Sequence, residues 1–100
     1  MLAEGRGYLL THDSAKALPL LEAALKADKE LFDANSPDIA VSEAALGNCY
    51  LDEGDRDKSR NMLFKAQSIL KAHKELSEDY QRPVRELRNW LNNSARYTHP

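Results

Sequence analysis

Apolar residues along this chain recur at spacings of three and four, the period of one helix face, and no stretch alternates as a strand does. The pattern divides into five helical segments. The first is short and covers about Leu2 to Leu10. A turn at Thr11-His12-Asp13-Ser14 follows, where Asp13 or Ser14 caps a second segment running to about Phe32. Its apolar positions are Ala17, Leu20, Leu21, Ala24, Leu31 and Phe32. Pro19 lies past the first turn of this segment. It removes one backbone hydrogen bond and is expected to bend the helix.

Asp33-Ala34-Asn35-Ser36 makes the next break. Ser36 supplies a capping hydroxyl, Pro37 suits the first helical position, and Asp38 complements the positive end of the helix dipole. The third segment therefore runs from Pro37 to about Asp52, with Ile39, Leu46 and Tyr50 on one face. Gly54 suits the left-handed residue that commonly ends a helix. The fourth segment runs from Arg56 to about Leu76 with a stripe of Met62, Leu63, Ala66, Ile69, Leu70 and His73. Ser77-Glu78-Asp79 opens the last, whose face is Tyr80, Val84, Leu87, Trp90 and Leu91 and whose end falls near Asn93. Pro83 either sits in its first turn or splits it. Residues from Ser94 to Pro100 are expected to fray. The sum is an all-α architecture of consecutive antiparallel helices.

The pattern also repeats. Tyr8-Leu9 returns as Tyr50-Leu51, Asp13 as Asp55, Lys16 as Lys58, Leu21 as Leu63, Ala24 as Ala66 and Lys29 as Lys71, all at a period of 42 residues. Repetition on that scale marks a solenoid, in which each unit buries its apolar face on its neighbours.

Within the second unit, Leu46-Gly47-Asn48-Cys49-Tyr50 is followed by Ser59, Leu63 and Ala66. This resembles a tetratricopeptide repeat, where Leu-Gly-x-x-Tyr precedes a small residue, a large apolar one and Ala. The residue types fit close packing. Gly47 and Ser59 let paired helices approach, Ala66 does so against the next unit, and Tyr50 and Leu63 fill the space between. The first unit matches at Gly5, Tyr8, Ala17, Leu21 and Ala24, with Glu4 where Leu belongs and a first helix that is expected to be truncated. The third keeps Leu87 but has Arg88 for the glycine and Leu91 for the tyrosine, as in a capping helix.

The long period and the Ser36-to-Ala40 entry are similar to kinesin-light-chain-type repeats. The stretch from His73 to Leu87 resembles C-terminal repeat regions of bacterial serine/threonine kinases or regulators. The resemblance implies a short right-handed superhelix: a truncated repeat over residues 1–35, a complete one over 36–76, a capping helix over 77–93 and a flexible tail over 94–100.

Composition narrows the function. The formal net charge is −2, so no bulk attraction to nucleic acid or anionic membrane is expected. The charge is uneven, with Arg82, Arg85, Arg88 and Arg96 against Glu86 in the last twenty residues. No run approaches the length of a membrane span and the N-terminus lacks a signal-peptide core, so a cytoplasmic location is expected. The single cysteine, Cys49, excludes an intramolecular disulfide and a cysteine-based zinc site. It lies in a helix of small residues without a catalytic motif around it and reads as a buried, inert thiol. His12, His73 and His99 have no metal-site spacing. No catalytic triad context, nucleophile elbow or kinase signature occurs. No enzyme activity, cofactor or metal is expected.

What remains is an interaction module for a protein or peptide partner. The resemblance implies a concave groove lined by the first helix of each unit: Arg6 and Leu9 from the first, Val41, Ala44, Asn48, Leu51 and Asp52 from the second, and Arg82, Arg85 and Asn89 from the last helix. Asn48 would bond the backbone of an extended peptide, and the arginines would pair with its carboxylates. A solvated helix face is the competing reading. Two alternatives stand beside the groove. One is homodimerisation through an N-terminal edge at which Leu18, Leu21 and Leu25 are expected to be partly uncovered. The other is a regulatory tail of a larger bacterial signalling protein.

Overall fold

The protein is described here by a computed structural model, which covers residues 14–73 and 75–97. These residues form four α-helices and, among them, no strand: α1 over Ser14–Leu31, α2 over Pro37–Asp52, α3 over Arg56–Lys71 and α4 over Glu78–Tyr97. The helical segment expected over Leu2 to Leu10 lies outside the described residues, as do Arg6, Leu9, His12 and His99.

Short connections force successive helices antiparallel, and hydrogen bonds at the ends confirm it. Ser14 at the start of α1 donates to Glu53 just past α2 (2.7 Å). At the other end of that pair, Ser42 donates to Asp28. Arg56 at the start of α3 reaches the Leu91 carbonyl late in α4 (3.5 Å).

Local chemistry sets the helix ends where the sequence indicated. The Ser36 hydroxyl accepts the Asp38 N–H (3.3 Å) with Pro37 opening α2. The Asp55 carboxylate accepts the Lys58 N–H (3.1 Å) at the start of α3. Gly54 takes φ +87° in the turn between them, a region open to glycine at no steric cost.

Three expectations need correction. The helix α3 stops at Lys71, five residues short of Leu76. The N–H groups of Ala72 and His73 turn back to the Ile69 and Leu70 carbonyls, and the His73 ring donates to the Asn35 carbonyl (2.7 Å). That tie to the α1–α2 connection fixes where the chain reverses. The helix α4 runs to Tyr97, four residues beyond Asn93, so the tail expected from Ser94 begins as helix. Finally, Pro83 neither occupies the first turn of α4 nor splits it. Both Pro83 and Pro19 are the sixth residue of an unbroken helix. The carbonyls they leave without a helical donor belong to Asp79 and Ala15, both exposed residues, so the loss does not bury an unpaired acceptor in the core.

The core runs along α2. Ala17, Leu21 and Leu25 from α1, Ile39, Ala40, Ala44, Leu46 and Cys49 from α2, Leu63, Ala66 and Ile69 from α3, and Val84, Leu87 and Leu91 from α4 pack into one cluster. Leu21 and Leu87 are completely buried, each contributing about 1.5–3 kcal/mol of burial free energy. Helix α2 touches α1, α3 and α4, whereas α1 touches neither α3 nor α4. Gly47 makes this possible. A Cβ there would lie 2.5 Å from Leu87 Cδ2, 3.2 Å from Met62 Cβ and 3.4 Å from the Ser59 carbonyl, so α3 and α4 both close onto α2 at one point.

Some apolar positions fall outside this core. Trp90 is 49% exposed, not core: the buried stripe Val84, Leu87, Leu91 leaves it on the flank of α4. Leu31 and Phe32 are exposed as well, because α1 ends there before a neighbour can cover them. Leu21 and Leu25, in contrast, are buried and Leu18 is half-buried. Of the patch expected for self-association, only Leu18 is partly uncovered.

Candidate functional site

The expected groove residues among those described separate into four groups. On α2, Val41, Asn48 and Leu51 are half-buried and Asp52 is exposed. Val41, Asn48 and Asp52, at i, i+7 and i+11, share one stripe of that helix, and Leu51 lies at its edge, toward Ala44 and Gly47. On α4, Arg82 and Asn89 are exposed at i and i+7. Ala44 stands apart. It is fully buried, so it serves packing and offers no ligand contact. Register assigns it to the groove, but burial depends on how closely the neighbouring helices approach, and Gly47 lets them approach closely.

Arg85 belongs to another surface. It is bonded to Glu78 seven residues earlier on α4. That bond holds the Glu78 carboxyl below the usual carboxylate range and pushes the Arg85 guanidinium up. Arg85 also lines a cleft of 410 Å³ between α3 and α4, together with Lys71, Val84 and Arg88.

The most distinctive atom of the α2 stripe is Asn48 Oδ1. It is buried and has no hydrogen-bond partner. Buried carbonyl oxygens are nearly always paired, and an orphan costs about 1–3 kcal/mol. Because the atom is shielded from solvent, a backbone N–H arriving from outside reaches it by displacing the side chains that cover it.

A second unpaired atom went unnoticed in the sequence. Glu43 is only 3% exposed, and its Oε1 has no partner. Burial raises its carboxyl above the ordinary 4.5, opposed by Lys29 on α1 and Lys65 on α3. The signal was available: Ser42-Glu43 interrupts an otherwise apolar run from Ile39 to Leu46. Neighbouring Ser42 is fully buried and bonded to Asp28, so this polar pair ties the end of α1 to the start of α2.

Cys49 is completely buried. Its thiol donates to the Ser14 carbonyl (3.3 Å). Burial, then the nearby Glu53, Asp52 and Glu22, push it up to about 11, so it stays protonated and unreactive at neutral pH. Tyr50 fills the space beside it with Lys58 Nζ 5.5 Å from its ring centroid, a cation–π contact between α2 and α3. Among the described residues no group of His, Cys, Asp or Glu is arranged to hold a metal ion. No described helix is long and apolar enough to cross a membrane.

Comparison with known proteins agrees with this geometry. The tetratricopeptide repeat family profile matches residues 2–72. Neither a curated protein nor a solved structure matches the chain. The profile spans α1, α2 and α3, including Gly47 at the point where α2 meets two neighbours, Tyr50 between α2 and α3, and the small residues Ser59 and Ala66 that α3 buries. With four consecutive antiparallel helices and that match over most of its length, the chain belongs to the tetratricopeptide repeat family.

Proposed function

We propose that this domain is a non-catalytic interaction module that binds an extended peptide along the stripe of α2 formed by Val41, Asn48 and Leu51, with Arg82 and Asn89 of α4 beside it. Repeats of this family generally mediate protein–protein interaction, and stacked helices present an extended concave surface for the purpose. The observation that carries the specific reading is the buried, unpaired Oδ1 of Asn48. An extended peptide offers a backbone N–H to that acceptor while Val41 and Leu51 take an apolar side chain. Arg82 pairs with an acidic side chain or a terminal carboxylate.

The experiment is a fluorescence-polarisation screen of labelled extended peptides bearing acidic residues, followed by Asn48→Ala and Arg82→Glu. Both variants are expected to weaken binding at least tenfold. Neither should lower the thermal midpoint, since Arg82 is exposed and Asn48→Ala removes an orphan acceptor. Unchanged affinity in both variants overturns the reading.

A further inference from the structure

We infer that the cleft between α3 and α4 is a second docking surface, built to receive an acidic amphipathic helix from a partner protein. It lies apart from the α2 stripe, and the two readings fail independently.

The repeat register shows what shape the cleft accepts. Ala40, Ala44 and Gly47 fall at i, i+4 and i+7 on one stripe of α2, and all three are buried. At Gly47 the covering atoms are Leu87 of α4 and Met62 and Ser59 of α3, so α3 forms one of the two walls that close this stripe. Advancing 41 residues, the offset from Leu46 to Leu87, brings the same stripe onto α4 as Gln81, Arg85 and Arg88. These are exposed, and all three line the cleft. The cleft is thus the slot on α4 that corresponds to the one α3 fills on α2. A helix antiparallel to α4 has the shape that fits.

Its chemistry states which helix. The floor is apolar: Val84 is buried, and Leu70 and Leu76 are half-buried. The rim is basic, with Lys71 from α3 and Arg85 and Arg88 from α4. Among the described residues no carboxylate belongs to the lining; Glu78, bonded to Arg85, is the acidic group beside it. Among the described residues Lys71 and Arg88 have no ion pair. Arginine at the position where α2 has glycine also changes what can enter. The α2 stripe accepts close backbone contact, whereas the α4 stripe holds a helix further out and meets it with guanidinium groups suited to bidentate carboxylate pairing.

A second copy of this chain fits poorly. Its equivalent slot-filling helix, α3, carries Arg56, Lys58, Arg60, Lys65 and Lys71 against Asp57, and like charges repel at such a rim. Helix α1 is balanced, with Lys16, Lys26 and Lys29 against Glu22, Asp28 and Glu30. The apolar floor and basic rim together select an acidic amphipathic helix, which neither α1 nor α3 of a second copy supplies.

The test uses the full chain and two labelled, stapled helices. One has a leucine face flanked by glutamates, and the other has lysine in place of each glutamate. The acidic helix is expected to bind saturably and more weakly as salt rises, while the lysine helix does not bind. Arg88→Glu and Lys71→Glu, both at exposed positions, are each expected to lower affinity at least tenfold with an unchanged circular dichroism spectrum. Asn48→Ala should have no effect. Absence of binding by the acidic helix, equal affinity for both probes, or insensitivity to Arg88→Glu and Lys71→Glu overturns the proposal. So does loss of binding with Asn48→Ala, which would move the helix to the α2 stripe. Sedimentation velocity supplies the remaining arm. A dimer that forms with concentration and is abolished by Arg88→Glu would assign the slot to a second copy and overturn the acidic-partner reading.

Discussion

Gly47 and Leu87 lie so close that no other residue fits at Gly47 without displacement: a Cβ there would stand 2.5 Å from Leu87 Cδ2. Leu87 is completely buried, so its Cδ2 must move among packed neighbours, and Met62 Cβ at 3.2 Å must give as well. The Gly47→Ala substitution sets two effects against each other. Alanine gains about 1 kcal/mol of helix propensity over glycine, and overpacking a closed core costs about 1–3 kcal/mol. The expected outcome is a net loss of about 1 kcal/mol in urea unfolding. A second change, Leu87→Ala, should relieve the clash, so the double variant is expected to lose less than the sum of the two single losses.

Glu43 makes stability depend on pH in an uncommon direction. Its folded-state pKa lies above the ordinary 4.5 because burial disfavours the charged form. The folded protein therefore binds this proton more tightly than the unfolded chain does. That penalises folding at neutral pH, and the penalty fades as pH falls through the folded-state value toward 4.5. Glu43→Gln is expected to stabilise the domain by about 1 kcal/mol at pH 7. The advantage should shrink as acid is added. Thermal midpoints of both proteins across that range check the sign, and an advantage that grows in acid contradicts it.

Ser36 caps α2, the helix on which the whole core depends. Ser36→Ala should cost about 1 kcal/mol, and Ser36→Gly only a few tenths. Chemical denaturation of the two variants separates loss of the capping bond from loss of the side chain as such.

Cys49 should resist thiol reagents in the folded protein. A thiol pushed from 9.0 up to about 11 has about a hundredfold less thiolate at pH 8, and complete burial adds a barrier to approach. Labelling with a maleimide is expected to be slow under native conditions and fast in denaturant. Rapid native labelling would show that α1 opens away from α2.

Much of the fold was legible because short-range chemistry decides it. The Ser36-Pro37 start, the Asp55 cap and the Gly54 turn each depend on a few adjacent residues. The Leu46, Gly47, Tyr50, Ser59 and Ala66 pattern likewise reflects how close two helices must pass. The end of α3 was not legible, since it is fixed by His73 reaching Asn35 across 38 positions of sequence. Helical continuity through Pro19 and Pro83 was hidden for a related reason, because packing on α2 outweighs one lost backbone bond at each.

The candidate site was legible in its stripe and less so in its depth. Asn48 was identifiable from register, and its orphan oxygen required the packed neighbours. Ala44 and Arg85 share a repeat position yet differ completely in exposure. Which of them a ligand can reach depends on whether another helix follows in space. Trp90 failed similarly: helical spacing places it near Leu87 but does not say which side of α4 is covered.

Because α2 touches the three other described helices while α1, among those helices, touches only α2, the four do not form a simple chain of neighbours. Helices α2, α3 and α4 form a closed triangle, and α1 is attached to it by a single edge. Among the described helices, opening α1 breaks one interface, whereas opening any member of the triangle breaks at least two. Amide protons of α1 should therefore exchange through a lower-energy partial unfolding than those of the triangle. Among the described helices, direct packing between α1 and the α3–α4 cleft runs through α2, with Gly47 where α2 meets both cleft walls, and the His73–Asn35 bond is a second, shorter tie from the cleft to the α1–α2 connection.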